Sequence, residues 1–144
     1  MGISSAEFAG QHVAGLALSV GNPHLACVLP NLNAEQLAAM DFRQPPEFDT
    51  EFFPAGSNLE ILTPLREGRT SMRVYERGVG ETQSCGTGTV ASAFVALADA
   101  GIENGIVTIS VPGGGLQVRF TPETSFLRGP SVIVAEGEYF EPYA

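Results

Sequence analysis

The sequence contains no lysine and no tryptophan, and seven basic residues face sixteen acidic ones for a net charge of −9. Each shortage removes a class of function. Without lysine the chain cannot form the Schiff base that carries pyridoxal phosphate. The acidic surplus argues against nucleic acid, whose phosphates need clustered cations. No apolar run approaches the roughly 20 residues of a membrane span, and the N-terminus lacks the charged-then-apolar order of a secretory signal. Met1-Gly2 opens like a myristoylation site, but Ala6 stands where that motif needs Ser or Thr. The two cysteines, Cys27 and Cys85, have unlike surroundings and do not make a disulfide framework. A reducing, cytoplasmic setting is expected, with no metal and no cofactor.

The chain has 144 residues and a 44% apolar fraction, enough for one domain with a real core. Val13–Val20 and Leu25–Leu29 read as strands around the turn Gly21-Asn22-Pro23-His24. Asn33 caps a short helix over Ala34–Met40. Asn58–Thr63 and Thr70–Tyr75 alternate as strands, with Glu67-Gly68 as their turn. Gly86–Ala100 reads as the long helix, stopped by Gly101. Ile106–Val111 and Leu116–Phe120 flank Pro112-Gly-Gly-Gly115, a hairpin signal and not a phosphate loop, since no Lys-Ser/Thr follows it. Phe126-Leu127 and Val132–Ala135 are again strand-like. The pattern is α+β: a curled mixed or antiparallel sheet around one long central helix.

Chemistry concentrates at Cys85, which directly precedes the long helix and is followed by Gly86, Thr87 and Gly88. N–H groups there lack helical partners and carry the positive end of the dipole. Both effects favour a thiolate and offer donors to an anion. A buried core thiol is the commoner fate of a free cysteine, but it needs neither the glycines nor the charged loop before them. Cys27, between Ala26 and Val28, reads as core. Glu76 and Arg77 lead into that loop. A solvated charge pair is the bland reading; a carboxylate that exchanges a proton with Cys85, beside an arginine fork for a substrate carboxylate, is the functional one. His24, Asn22 and Asn58 also serve as ordinary turn residues, and His12 has no partner motif.

The run Glu76-Arg77-Gly78, Gly80-Glu81-Thr82, Cys85-Gly86-Thr87-Gly88 resembles the second cysteine motif of the diaminopimelate epimerases, which are cofactor-independent amino-acid epimerases. Gly21-Asn22-Pro23-His24 and Gly56-Ser57-Asn58-Leu59-Glu60, the latter placing Asn58 18 residues before Glu76, fit the same family in the same order. The resemblance runs from about Val13 to Tyr139 and covers only the family's C-terminal half. It implies Cys85 as a catalytic acid/base, Glu76 and His24 as groups that adjust thiol pKa values, His24 toward the cysteine of the absent half. It further implies Asn22, Asn58, Glu76, Arg77, Gly86 and Thr87 as substrate-binding residues. The first cysteine motif of the family, of Cys-Gly-Asn-Gly type, does not occur here.

Inverting an α-carbon takes one base on each face, so the resemblance implies half of an LL/meso-diaminopimelate epimerase, inactive alone. Its implied partners are the small-molecule substrate, the missing N-terminal domain and, as one option, a second copy in a homodimer. Residues 1–128 would form the C-terminal epimerase domain, and residues 129–144 a terminal strand returning to the N-terminal domain. Met1-Gly2-Ile3-Ser4 reads as an arbitrary start, as in an excised domain. The rivals are a proline or hydroxyproline racemase, against which Glu76-Arg77 and Asn58 indicate a second charged substrate end, an isomerase of the phenazine-biosynthesis type, against which Cys85 counts, and a non-catalytic binding domain of the same fold.

Overall fold

The computed structural model describes residues 1–140, and its architecture follows from one alternation repeated across three neighbouring strands. In chain order the elements are β1 (Gly2–Phe8), β2 (Gln11–Ser19), β3 (Pro23–Val28), α1 (Ala34–Ala39), β4 (Glu47–Phe48), β5 (Asn58–Leu62) and β6 (Arg69–Glu76). They continue with β7 (Gly80–Thr82), α2 (Gly86–Asp99), β8 (Ile106–Val111), β9 (Gly114–Phe120) and β10 (Ser125–Arg128). The strands form a mixed sheet in the order β10-β9-β8-β6-β5-β3-β2-β1-β4, with β7 added on β6. The β3–β5 and β6–β8 pairings are parallel, and the others are antiparallel. The class is α+β.

Successive strand side chains point to opposite faces, so Ala26, Leu62, Met72 and Val74 share one face with the apolar side of α2 (Ala93, Val95, Ala96, Leu97). Leu25, Cys27, Leu59 and Ile61 share the other, covered by Leu37 of α1 and by Phe8, Phe42 and Phe53. Both faces of β3 and β5 are therefore buried, each with its own cluster, while β6 buries only the face toward α2. Helix α2 touches β2, β3, β5, β6, β8, β9 and β10.

Local chemistry explains the boundaries. Asn33 makes a full capping box with Gln36 at the start of α1. Glu67 and Gly68 turn the chain between β5 and β6 at φ 50° and 71°, and Gly101 takes the left-handed position after α2 at φ 70°. Three elements stand beyond the sequence reading. β1 pairs along its whole length with β2, and its inward residues Ser4, Ala6 and Phe8 are mostly small. β4 and β7 are only 2 and 3 residues long.

One expectation needs correction. Val132–Ala135 is not a strand: the chain leaves β10 at Arg128, and residues 129–140 take no regular secondary structure. Val132, Ile133 and Val134 are exposed. An apolar run forms a strand only where a neighbouring edge satisfies its N–H and C=O groups, and within the described residues none does so. Residues 141–144 of the proposed terminal segment lie outside the described residues.

At Gly15 the β2 backbone leaves no room for a side chain against β3. A Cβ on Gly15 would fall 2.1 Å from the carbonyl oxygen of Ala26 and 2.8 Å from Cα of Cys27. Because the obstacle is backbone, Gly15→Ala is expected to cost roughly 1–3 kcal/mol or more, read as a lower thermal midpoint. An unchanged midpoint would show that the strands separate freely there.

Candidate functional site

The face that α2 covers changes character along its length. Beneath the helix body it is apolar. Toward the helix N-terminus the same alternation brings His24 from β3, Asn58 and Glu60 from β5, and Glu76 from β6 onto that face. Parallel pairing of β3 with β5 puts His24 opposite Asn58 and Ala26 opposite Glu60.

Cys85 is itself the N-cap of α2, with extended backbone (φ −131°, ψ 117°). Its Sγ accepts from the Gly88 N–H at 3.4 Å and lies 3.6 Å from the Thr87 hydroxyl. Its carbonyl accepts from both the N–H and the hydroxyl of Thr89, at 2.8 and 2.7 Å. The thiol is thus fixed in direction, with the first-turn N–H groups of Gly86 and Thr87 beside it. The residue is 7% exposed. Burial pushes its pKa up, the Thr87 and Gly88 contacts pull it back, and the charges of Glu76 and Glu60 push it up again. Burial is the first of these causes, and it acts against the thiolate that a helix N-terminus favours.

Glu76 accepts from the Thr82 hydroxyl at 2.6 Å through Oε1, which ties β6 to β7. Arg77 donates its backbone N–H to Asn58 Oδ1 at 2.9 Å, and its exposed guanidinium reaches the Ala55 carbonyl at 3.2 Å. Asn58 therefore positions the Glu76-Arg77 loop with its oxygen. Asn22 accepts from His24 Nε2 at 3.0 Å.

His24 is fully buried, its Nδ1 lies 2.6 Å from Glu60 Oε1, and its Nε2 meets Asn22, so within this chain both ring nitrogens have partners. Sequence reasoning passed over Glu60, although a carboxylate between Leu59 and Ile61 in a strand buried on both faces is the signal that could have found it. Burial pushes the Glu60 carboxyl up to about 7, against the His24 contact, which lowers it. His12 stands apart, in an exposed pair with Glu7 at 2.7 Å.

The arrangement is a fixed thiol at a helix N-terminus, with two carboxylates, two amides and an arginine around the same end of the sheet. It can move a proton at sulfur and meet a carboxylate with N–H donors. The diaminopimelate epimerase family profile matches residues 16–139. A diaminopimelate epimerase of Mycobacterium ulcerans is 54% identical over 99% of this chain and 49% of its own length. One of Corynebacterium glutamicum is 56% identical over 95% of this chain and 49% of its own.

The chain belongs to the diaminopimelate epimerase family.

It spans about half the length of the curated relatives it matches. A solved phenazine biosynthesis protein of the PhzF family from Enterococcus faecalis superposes with a TM-score of 0.51 at 17% identity, covering 85% of this chain and 41% of that one. That likeness concerns the fold alone.

The two thiols of this family member are set apart by their surroundings. Cys27 is fully buried and its pKa is pushed up to about 12, by burial first and by Glu60 second. Iodoacetamide at mildly alkaline pH is expected to label Cys85 at least about tenfold faster than Cys27, followed by mass-spectrometric mapping. Preferential labelling of Cys27 would remove Cys85 from its assigned role.

Proposed function

We propose that this chain supplies one half of a cofactor-independent amino-acid epimerase that interconverts LL- and meso-diaminopimelate, with Cys85 as one of two opposed acid/base thiols. The observation that carries the reading is Cys85 at the N-cap of α2, backed by the Glu76-Arg77 loop that Asn58 holds in place. The α-proton of an amino acid is far less acidic than a thiol, so the carbanion needs electrostatic help in a site closed to water. The N–H groups of Gly86 and Thr87 supply it to the α-carboxylate. Asn22, Asn58 and Arg77 take the distal amino-acid end through amide and guanidinium donors. Cys85 removes the proton in one direction and returns it in the other, while Glu76 adjusts its charge and His24 that of the cysteine in the other half.

The second thiol approaches the opposite face from an N-terminal domain of the same fold, and the reaction runs in the cytoplasm, where both cysteines stay reduced. We further infer that the sheet curls around α2 as the central helix of one of two similar domains. Seven neighbouring strands about 4.8 Å apart would span close to 30 Å if flat, which one helix of about 10 Å diameter could not touch.

The chain alone is expected to give no stereoinversion of LL-diaminopimelate in deuterated water, although exchange with retention is compatible with one base. Joined to the preceding half of the Corynebacterium glutamicum relative, it is expected to invert. Cys85→Ser in that chimera should slow inversion by about a hundredfold or more. Inversion by the chain alone, or an unaffected Ser variant, would overturn the two-thiol reading.

Residues 1–128 are read as the domain proper and 129–144 as a segment that joins the N-terminal domain. Ending the chain at Arg128 is expected to preserve the melting midpoint and reduce self-association measured by analytical ultracentrifugation. Unfolding would place that segment in this core instead.

A further inference from the structure

Glu60 is a carboxylate in the middle of a core strand, fully buried, and the pairing with His24 uses only one of its oxygens. The other, Oε2, is buried without a hydrogen-bond partner. His24 Nε2 sits 3.0 Å from Asn22 Oδ1 and donates to it. Nδ1 and Oε1, 2.6 Å apart, then share a single proton, and the pair is neutral overall whichever atom holds it. Fully buried polar groups are retained only when paired, and an unsatisfied oxygen beside such a pair calls for an explanation.

The carboxyl lies against the first turn of α2. A Cβ on Gly88 would stand 2.7 Å from Glu60 Oε1 and 3.3 Å from Cys85 Sγ. Carboxyl and thiol therefore flank one slot that only glycine leaves open. The titratable groups that face Glu60 are His24 and Cys27 from β3, Glu76 from β6 and Cys85 from the helix cap.

We propose that Glu60 is a positioning residue for Cys85: clamped by His24, its carboxyl fills the slot under Gly88 and sets the charge against which the thiol loses or regains its proton. The proposal rests on the reading of Cys85 as a proton-transfer group. While the shared proton is held the pair is neutral and leaves the sulfur free to ionise; once it is lost, the negative charge left on Glu60 keeps the proton on the thiol. Burial places the Glu60 titration at about 7, so both charge states are populated near neutral pH.

Alkylation of the full 144-residue chain tests this without any need for turnover. Iodoacetamide rates at Cys85 are measured by mass spectrometry from about pH 6 to about pH 10, with buried Cys27 as the internal check of folding. Glu60→Gln is expected to lower the Cys85 midpoint by about one pH unit, a gain in rate of roughly tenfold on its acid side. An unchanged midpoint with Cys27 still protected overturns the proposal. If Cys27 becomes labelled and the variant is unfolded, the unsubstituted chain decides. Ionisation of Glu60 then gives its Cys85 profile a shallow break near 7, and a curve with a single proton overturns the proposal. The inversion assay on the chimera stands apart, so failure of the epimerase reading and failure of this one are distinguishable.

Discussion

The constraint on which the rest depends is that β3 and β5 are covered on both faces, with β6 beside them buried on its α2 side. Alternation then leaves no side of β3 and β5 for water, and every residue in them must be apolar, small or paired. Along most of the α2 face the solution is apolar, with Ala26, Leu62, Met72 and Val74 beneath the helix. Only at the helix N-terminus does it become polar, and there each group has a specific neighbour: Asn22 with His24, His24 with Glu60, Asn58 with the Arg77 backbone, Glu76 with Thr82. The site is the polar end of a core face. Its rigidity comes from the same packing that holds the domain together.

Burial of Glu60 has a cost that the geometry makes visible. A carboxylate removed from water is tolerated when hydrogen-bonded to a partner that shares its proton, whereas removing one member of such a pair typically costs about 3–5 kcal/mol. Leucine at position 60 alone would strand His24, so only joint replacement of both by apolar residues would suit the fold better. The His24–Glu60 pair lies next to the helix cap that carries Cys85, which puts this cost beside the thiol. The rise in the Cys85 pKa belongs to the same account, since burial and two nearby carboxylates act in one direction and only two hydrogen bonds oppose them.

Much of this was legible in the residues because turn and cap chemistry is local. Asn33, Glu67-Gly68, Gly101 and the Pro112–Gly115 run place the ends of their elements within a residue or two. What escaped notice depends on tertiary neighbours. β1 is built of small and polar residues, and only its pairing with β2 makes it a strand. Val132–Ala135 has the composition of a strand and no edge to join among the described residues. Glu60 alternates with Leu59 and Ile61 as a solvent-facing residue would, and the second covering layer that buries it is not visible in the strand itself. The His24–Glu60 pair is hidden for the same reason: its members stand 36 positions apart.

The N-cap position explains the choice of sulfur over oxygen. Ser, Thr, Asn and Asp cap helices best, because a short oxygen contact to the N–H at N2 or N3 satisfies an orphan donor. At Cys85 that contact is made by Sγ to Gly88 N–H at 3.4 Å, longer and weaker than an oxygen would give. For α2 alone, serine would be the better residue. The helix has no acidic side chain in its first turn to compensate for the weaker cap, so the N–H groups beside Cys85 remain available instead of being consumed by the protein itself. A cap that is suboptimal for stability keeps N–H donors next to an oriented thiol. The sequence around it, Gly86-Thr87-Gly88, keeps the backbone close enough for the carboxyl of Glu60 to reach the same point from below.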